Sequence, residues 1–88
     1  MEVVNTIGRR KAAVARLYMK EGSGKIMINK KELTDYFPID TLRYIVNQPF
    51  AVTNTEGKYD LHVHIDGGGF KGQAEALRLA IARALCEV

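Results

Sequence analysis

From Lys11 to Lys20 the odd positions Ala13, Ala15, Leu17 and Met19 form one apolar row, while Arg16, Tyr18 and Lys20 fall on the other side. That period of two predicts a strand with one buried face. Glu21-Gly22-Ser23-Gly24 supplies turn chemistry, and Lys25 to Asn29, with β-branched Ile26 and Ile28, reads as the returning arm of a hairpin. Asn29, with Glu32 three residues on, has the spacing of a capping box and predicts a short helix through Leu33 and Tyr36 that Pro38 stops. Asp40 is placed to cap a second short helix, with Leu42, Ile45 and Val46 on one face and Pro49 at its end. Tyr59 to Asp66 alternate again, Leu61, Val63 and Ile65 against Asp60, His62, His64 and Asp66, which predicts another strand. From Gln73 the spacing turns helical, with Ala74, Leu77, Ile81, Ala84, Leu85 and Val88 on one face. Leu79, Ala82 and Cys86 extend apolar character around a second side, and no Gly or Pro caps the carboxyl end, so the helix is expected to want cover from another element or another chain.

No linker, repeat or low-complexity stretch interrupts these elements, and the 88 residues suffice for one domain spanning 1–88. A core of this size leaves little room for an enclosed catalytic cavity. The single Cys86 forms no internal disulfide, which suits a reducing compartment and makes the cytoplasm the expected location. No run has the length of a membrane span, and the start carries neither a basic leader nor a long apolar stretch. The net charge of +3 hides an asymmetry: residues 1–31 hold eight bases and two acids, and the remainder five bases and eight acids. An excess of +6 in the amino-terminal part calls for an anionic partner, nucleic acid first among them, unless it is only a solvated Lys-rich hairpin.

The densest chemistry lies in Asp66-Gly67-Gly68-Gly69-Phe70-Lys71-Gly72-Gln73, between the predicted strand and the last helix. Consecutive glycines let main-chain N–H groups approach an anion, and a helix amino terminus adds partial positive charge. Gly67, Gly69 and Gly72 satisfy G-x-G-x-x-G, but the second strand and acidic residue of a dinucleotide site have no room in the residues that follow. A P-loop is excluded because Gln73 and Ala74 stand where Lys and Ser or Thr are needed. Upstream, Gly8-Arg9-Arg10-Lys11 places three adjacent cations before the first predicted strand, an arrangement fit for phosphates or for an ordinary solvated turn. With the glycine loop, Lys71, Arg78 and Arg83, the balance tips to nucleic acid, although Arg78 could pair with Glu75 and Arg83 with Glu87.

His62 and His64 share a strand face flanked by Asp60 and Asp66, for which a solvated polar face is a better account than a metal site. Ser23 and Cys86 have no identifiable base, so no nucleophilic centre, catalytic residue or cofactor is expected. Tyr18, Tyr36, Tyr44 and Tyr59 are spaced as core-edge residues and form no recognisable base-stacking motif.

The run Gly67-Gly68-Gly69-Phe70-Lys71-Gly72-Gln73-Ala74, continuing with Ala76, Arg78, Ala80 and Arg83-Ala84-Leu85, resembles the signature of the bacterial ribosomal protein S-nine family. Gly8-Arg9-Arg10-Lys11, Ala13, Ala15-Arg16, Gly22 and Gly24, Lys25, Ile26, Asn29, Tyr36-Phe37 and Pro49 follow in that family's order, so the likeness covers essentially the whole chain. The resemblance implies a structural, non-enzymatic protein of the small-subunit head that serves translation in the cytoplasm. Its implied fold is α+β, a mainly antiparallel sheet of about four strands with helices packed on one face, like the second domain of ribosomal protein S-five. Carried over from the family, the residues against ribosomal RNA are Arg9, Arg10, Lys11, Arg16, Gly67, Gly68, Gly69, Lys71, Gln73, Arg78 and Arg83. Other head proteins are implied as neighbours. Family members continue past the last helix into another helical segment and a basic tail that reaches transfer RNA. The chain is therefore expected to be truncated before that tail, and no residue here is assigned to transfer RNA. The alternative is a self-associating domain, paired through Leu79, Ala82 and Cys86, whose basic hairpin only solubilises it.

Overall fold

Alternation builds the two longest strands as expected. The computed structural model describes residues 3–88; Glu2, counted among the amino-terminal acids, lies outside them. Elements follow in the order β1 (Val4–Arg10), β2 (Ala13–Glu21), β3 (Ile26–Ile28), β4 (Lys31–Glu32), α1 (Leu33–Tyr36), α2 (Asp40–Thr53), β5 (Tyr59–Asp66) and α3 (Phe70–Cys86). The architecture is α+β, as the sequence implied, but the sheet has five strands in the order β1-β2-β5-β3-β4, and β3 runs parallel to β5.

The returning arm of the expected hairpin is thus displaced from β2 by the whole width of β5. Asp60 explains why. Its carboxylate oxygen Oδ1 accepts hydrogen bonds from the main-chain N–H groups of Ser23, Gly24 and Lys25 at 2.9, 3.1 and 3.0 Å. The Glu21–Gly24 segment is drawn across the start of β5, and the Leu61 N–H then donates to the Lys25 carbonyl at 2.8 Å. A Cβ on Gly22 would stand 2.1 Å from the Asp60 carboxyl carbon, so the close crossing needs glycine.

The hairpin that does form joins β1 to β2 through Lys11 and Ala12, with Arg10 facing Ala13 and Val4 facing Met19. Its first arm carries no apolar alternation, because the inward positions are Thr6 and Gly8. Both serve α3. The Thr6 hydroxyl donates to the Ala80 carbonyl at 2.7 Å, and Gly8 leaves room for the helix backbone.

Four helix boundaries also differ from expectation. Asn29 and Lys30, both at positive φ, form the tight turn between β3 and β4, so Asn29 opens no capping box. Its side chain instead clasps β5, with Nδ2 donating to the Ile65 carbonyl at 3.0 Å and Oδ1 accepting from the Ile65 N–H at 2.9 Å. Ile39, not Asp40, holds the N-cap position of α2, and Asp40 pairs with Arg43 within the first turn. Pro49 does not end α2, which runs on to Thr53 before Asn54 turns left-handed. Proline removes one helical hydrogen bond, but Val46 and Phe50 on the same face are both buried, and continuing the helix keeps that packing. Finally, α3 begins at Phe70, a turn before Gln73, with Gly69 at its N-cap.

Helices cover one face of the sheet. Ala13, Ala15, Leu17 and Met19 of β2 and Leu61, Val63 and Ile65 of β5 meet Ala74, Leu77, Ile81 and Ala84 of α3 in one core with Ile28, Phe37, Val46 and Phe50. Leu85 is only half-buried and Val88 is exposed, so the expected helical stripe is buried through Ala84. Among the described residues no helix is long and apolar enough to cross a membrane.

Candidate nucleic-acid interface

The β1–β2 turn and the glycine loop meet backbone to backbone. Gly67 and Gly68 both adopt positive φ, at 76° and 66°, which turns the chain out of β5 and into α3. A Cβ on Gly67 would lie 2.3 Å from the Ala12 carbonyl oxygen, and one on Gly68 3.1 Å from the Ala13 N–H nitrogen. These glycines therefore let two loops pack together, while the adjoining Gly69 has open space around it. The exposed amino terminus of α3 and the exposed Lys11 and Lys71 come to one end of the molecule.

Glu75 organises the cations there. Its carboxylate accepts from the Arg10 Nε–H at 3.2 Å, an ion pair joining β1 to α3. That hydrogen bond, opposed by desolvation and aided by the charges of Arg10, Lys71 and Lys11, holds the Glu75 carboxyl below its ordinary value. Arg10 is thus the partner of Glu75, in place of the Arg78 pairing that helical spacing offered.

Gln73 sits elsewhere than a contact residue would. It is buried, its Nε2 donates to the Gly67 carbonyl at 3.0 Å, and its Oε1 accepts from the Tyr36 hydroxyl at 2.8 Å. Tyr36 in turn accepts from the Asn29 Nδ2 at 3.5 Å, and burial, opposed by these hydrogen bonds, raises its hydroxyl pKa. This relay runs from the β3–β4 turn to the glycine loop. Asn29 and Tyr36 are participants outside the contact residues that the resemblance implies, although both fall in that family's order; the spacing of Asn29 and Glu32 predicts only a helix cap.

The remaining cations lie apart from the loop pair. Arg16 projects from β2 on the face without helices, between Ile7 of β1 and His64 of β5. Arg78 donates from Nη1 to the Gln48 Oε1 at 3.1 Å and ties α3 to α2. Arg83 donates from Nη1 to the Ile7 carbonyl at 2.8 Å and ties α3 to the edge strand, so it does not pair with Glu87. Arg9, Arg10 and Arg78 share the rim of a groove of about 660 Å³ between α2 and α3, floored by Pro49, Val52, Leu79, Ala82, Leu85 and Cys86. The apolar residues expected on the second side of the last helix line this groove.

His64 Nε2 lies 3.0 Å from Asp66 Oδ2, and Asp60 is engaged with main-chain N–H groups. Among the described residues no group of three or more His, Cys, Asp or Glu side chains has the arrangement of a metal site.

Comparison with known families places the chain. Residues 8–88 match the model of the family described as ribosomal protein S9/S16. The chain belongs to that family. Across all 88 residues it is 61% identical to the small ribosomal subunit protein uS9 of Parabacteroides distasonis and 59% identical to that of Porphyromonas gingivalis. It is 56% identical to the same protein of Bacteroides fragilis, and it covers 69% of the length of each of these relatives. Members of the S9/S16 family are structural proteins of the small ribosomal subunit and not enzymes. As one of them, the chain serves translation in the bacterial cytoplasm.

Proposed function

We propose that this chain is a single RNA-binding domain held in the head of the small subunit by ribosomal RNA, which lies along the β1–β2 turn and the glycine loop. The backbone contact between Gly67 and Ala12 carries the reading, because it sets Lys11 and Lys71 beside the free N–H groups that open α3. Phosphates suit that arrangement: helix N–H groups and lysines meet anionic oxygens, and exposed Gly69 permits close main-chain approach. Arg9, Arg10 and Arg78 extend the basic track along the groove rim, and Arg16 and Arg83 add cations on the sheet side. Gln73 acts from beneath, by holding the loop. Other proteins of the head are the further neighbours of this reading.

The test is binding of the purified chain to a small-subunit head RNA fragment and to an unrelated structured RNA over a salt series. Preference for the head fragment, with a log–log slope of roughly −3 to −5 for about five phosphate contacts, is the expected result. Changing Arg9, Arg10 and Lys11 together to Ala should weaken binding and flatten that slope. Binding untouched by the triple change would overturn the anchor. No binding, together with sedimentation as a dimer, would transfer the reading to self-association through the α2–α3 groove.

A further inference from the structure

Helices cover one side of the sheet, and the other side is a bare grid of side chains. Strand register fixes its rows. Asn5 faces Tyr18, Tyr18 faces His62, His62 faces Met27 and Met27 faces Glu32, so one row crosses all five strands. The next row runs Ile7, Arg16, His64. Tyr18 is 51% exposed although it sits on an interior strand of the sheet, where a solvent-facing aromatic ring is an unusual use of surface. A shallow hollow of about 350 Å³ lies beside it, lined by Tyr18, Met27, Asn29, Lys30, His62 and His64.

The charges around this hollow favour one class of occupant. Arg16 stands one row away on the same strand face as Tyr18, Lys20 lies on that face beyond it, and Lys30 is at its border. Two acids of the face are engaged within the protein, Asp60 by three main-chain N–H groups and Asp66 against His64, and Glu32 stands at the far edge of the sheet, beyond Met27. Around the hollow stand the Tyr18 ring, the His62 imidazole and the Met27 thioether, and among the described residues Arg16, Lys20 and Lys30 form no ion pair. A protein partner would want charge depleted from the centre of such a patch, whereas unpaired nucleotides want flat π surfaces for bases and cations for the phosphates between them.

We propose that the open face of the sheet is a second RNA site, at which unpaired bases stack on Tyr18 and His62 while Arg16 and Lys30 meet the flanking phosphates. The inference rests on the RNA reading above but uses a different face. It extends the interface from backbone contacts, which carry no sequence information, to a surface where single-stranded nucleotides are bound by their bases.

Affinity for an oligouridylate and for the head RNA fragment tests it, with Tyr18→Ala, Tyr18→Thr and Tyr18→Phe as variants. Thr keeps strand propensity, so losses shared by Ala and Thr report the ring rather than the fold. Both should weaken oligouridylate binding about tenfold with an unchanged salt slope, and Phe should bind like the native chain. Native affinity in the Ala and Thr variants, or an equal loss in Phe, overturns the platform. So does intact RNA binding by Tyr18→Ala accompanied by failure to assemble with other head proteins, which would make this a protein-contact face. The Arg9, Arg10 and Lys11 triple variant separates the two readings: if it loses head RNA while Tyr18→Ala does not, the hairpin anchor stands and the platform falls.

Discussion

Gly8 lies directly under Ala76: a Cβ on Gly8 would stand 2.0 Å from the Ala76 carbonyl oxygen and 2.7 Å from the Ala80 N–H nitrogen. Both obstacles are helix backbone, so no side-chain rotation relieves them. Gly8→Ala must push α3 off β1, which also stretches the bonds from Thr6 to Ala80 and from Arg83 to Ile7. Overpacking of this kind costs about 1–3 kcal/mol, and here the upper end applies. A urea titration should show a lower midpoint for Gly8→Ala, and an unchanged midpoint would mean that the helix rides less closely on the strand.

Gln73 offers a way to loosen the glycine loop without touching a cation. Gln73→Met keeps the volume but deprives the Gly67 carbonyl and the Tyr36 hydroxyl of their partner, at a cost of about 1–3 kcal/mol. Amide exchange in residues 67–69 should quicken. Affinity for the head RNA should drop while the salt slope stays as it was, since no phosphate contact is removed. A flattened slope would instead mean that loosening the loop also draws a cation off its phosphate.

Acid should undo the crossing between β2 and β3. The N–H groups of Lys25 and Ser23 are the chief causes that hold the Asp60 carboxyl below its ordinary value of 3.8. A carboxyl depressed in the folded state stabilises the fold fully above that ordinary value and loses the contribution as pH falls through the folded one. Stability should therefore be level near neutrality and decline below about pH 4. In Asp60→Asn the decline should be shallower, the remainder coming from Glu75 and Arg10, whose link has the same sign. Equal acid sensitivity in the two proteins would show that Asp60 does not secure the crossing.

Much of the architecture could be read from period alone where a strand or helix buries one regular face. β2, β5 and α3 are legible for that reason, within two residues for the strands and a turn for the helix. β1 was not, because its inward residues are a threonine that bonds to a helix and a glycine that makes room for one, and neither counts as apolar. The partner of β3 was not, because it depends on Asp60, which meets the Gly22–Lys25 segment only in three dimensions. Pro49 misled because a local rule yields when Phe50, the next residue, must reach the core. At the site, the cations and the glycine cluster were evident as chemistry. Their allocation was not: Arg10, Arg78 and Arg83 each found a partner on another element, and Gln73 turned out to support the loop from below.

The place of β5 in the sheet has a consequence for how the chain is made. It is the last strand in sequence, Tyr59–Asp66, yet it stands between β2 and β3. Two small ribbons, β1 with β2 and β3 with β4, can form early from neighbouring residues. They cannot be joined until residue 66 is available, and α3, which closes the core, comes later still. Non-local closure of this kind slows folding. A nascent protein of this design therefore emerges as two unlinked flaps with exposed inner edges, and a late-arriving central strand zips them together in one cooperative step.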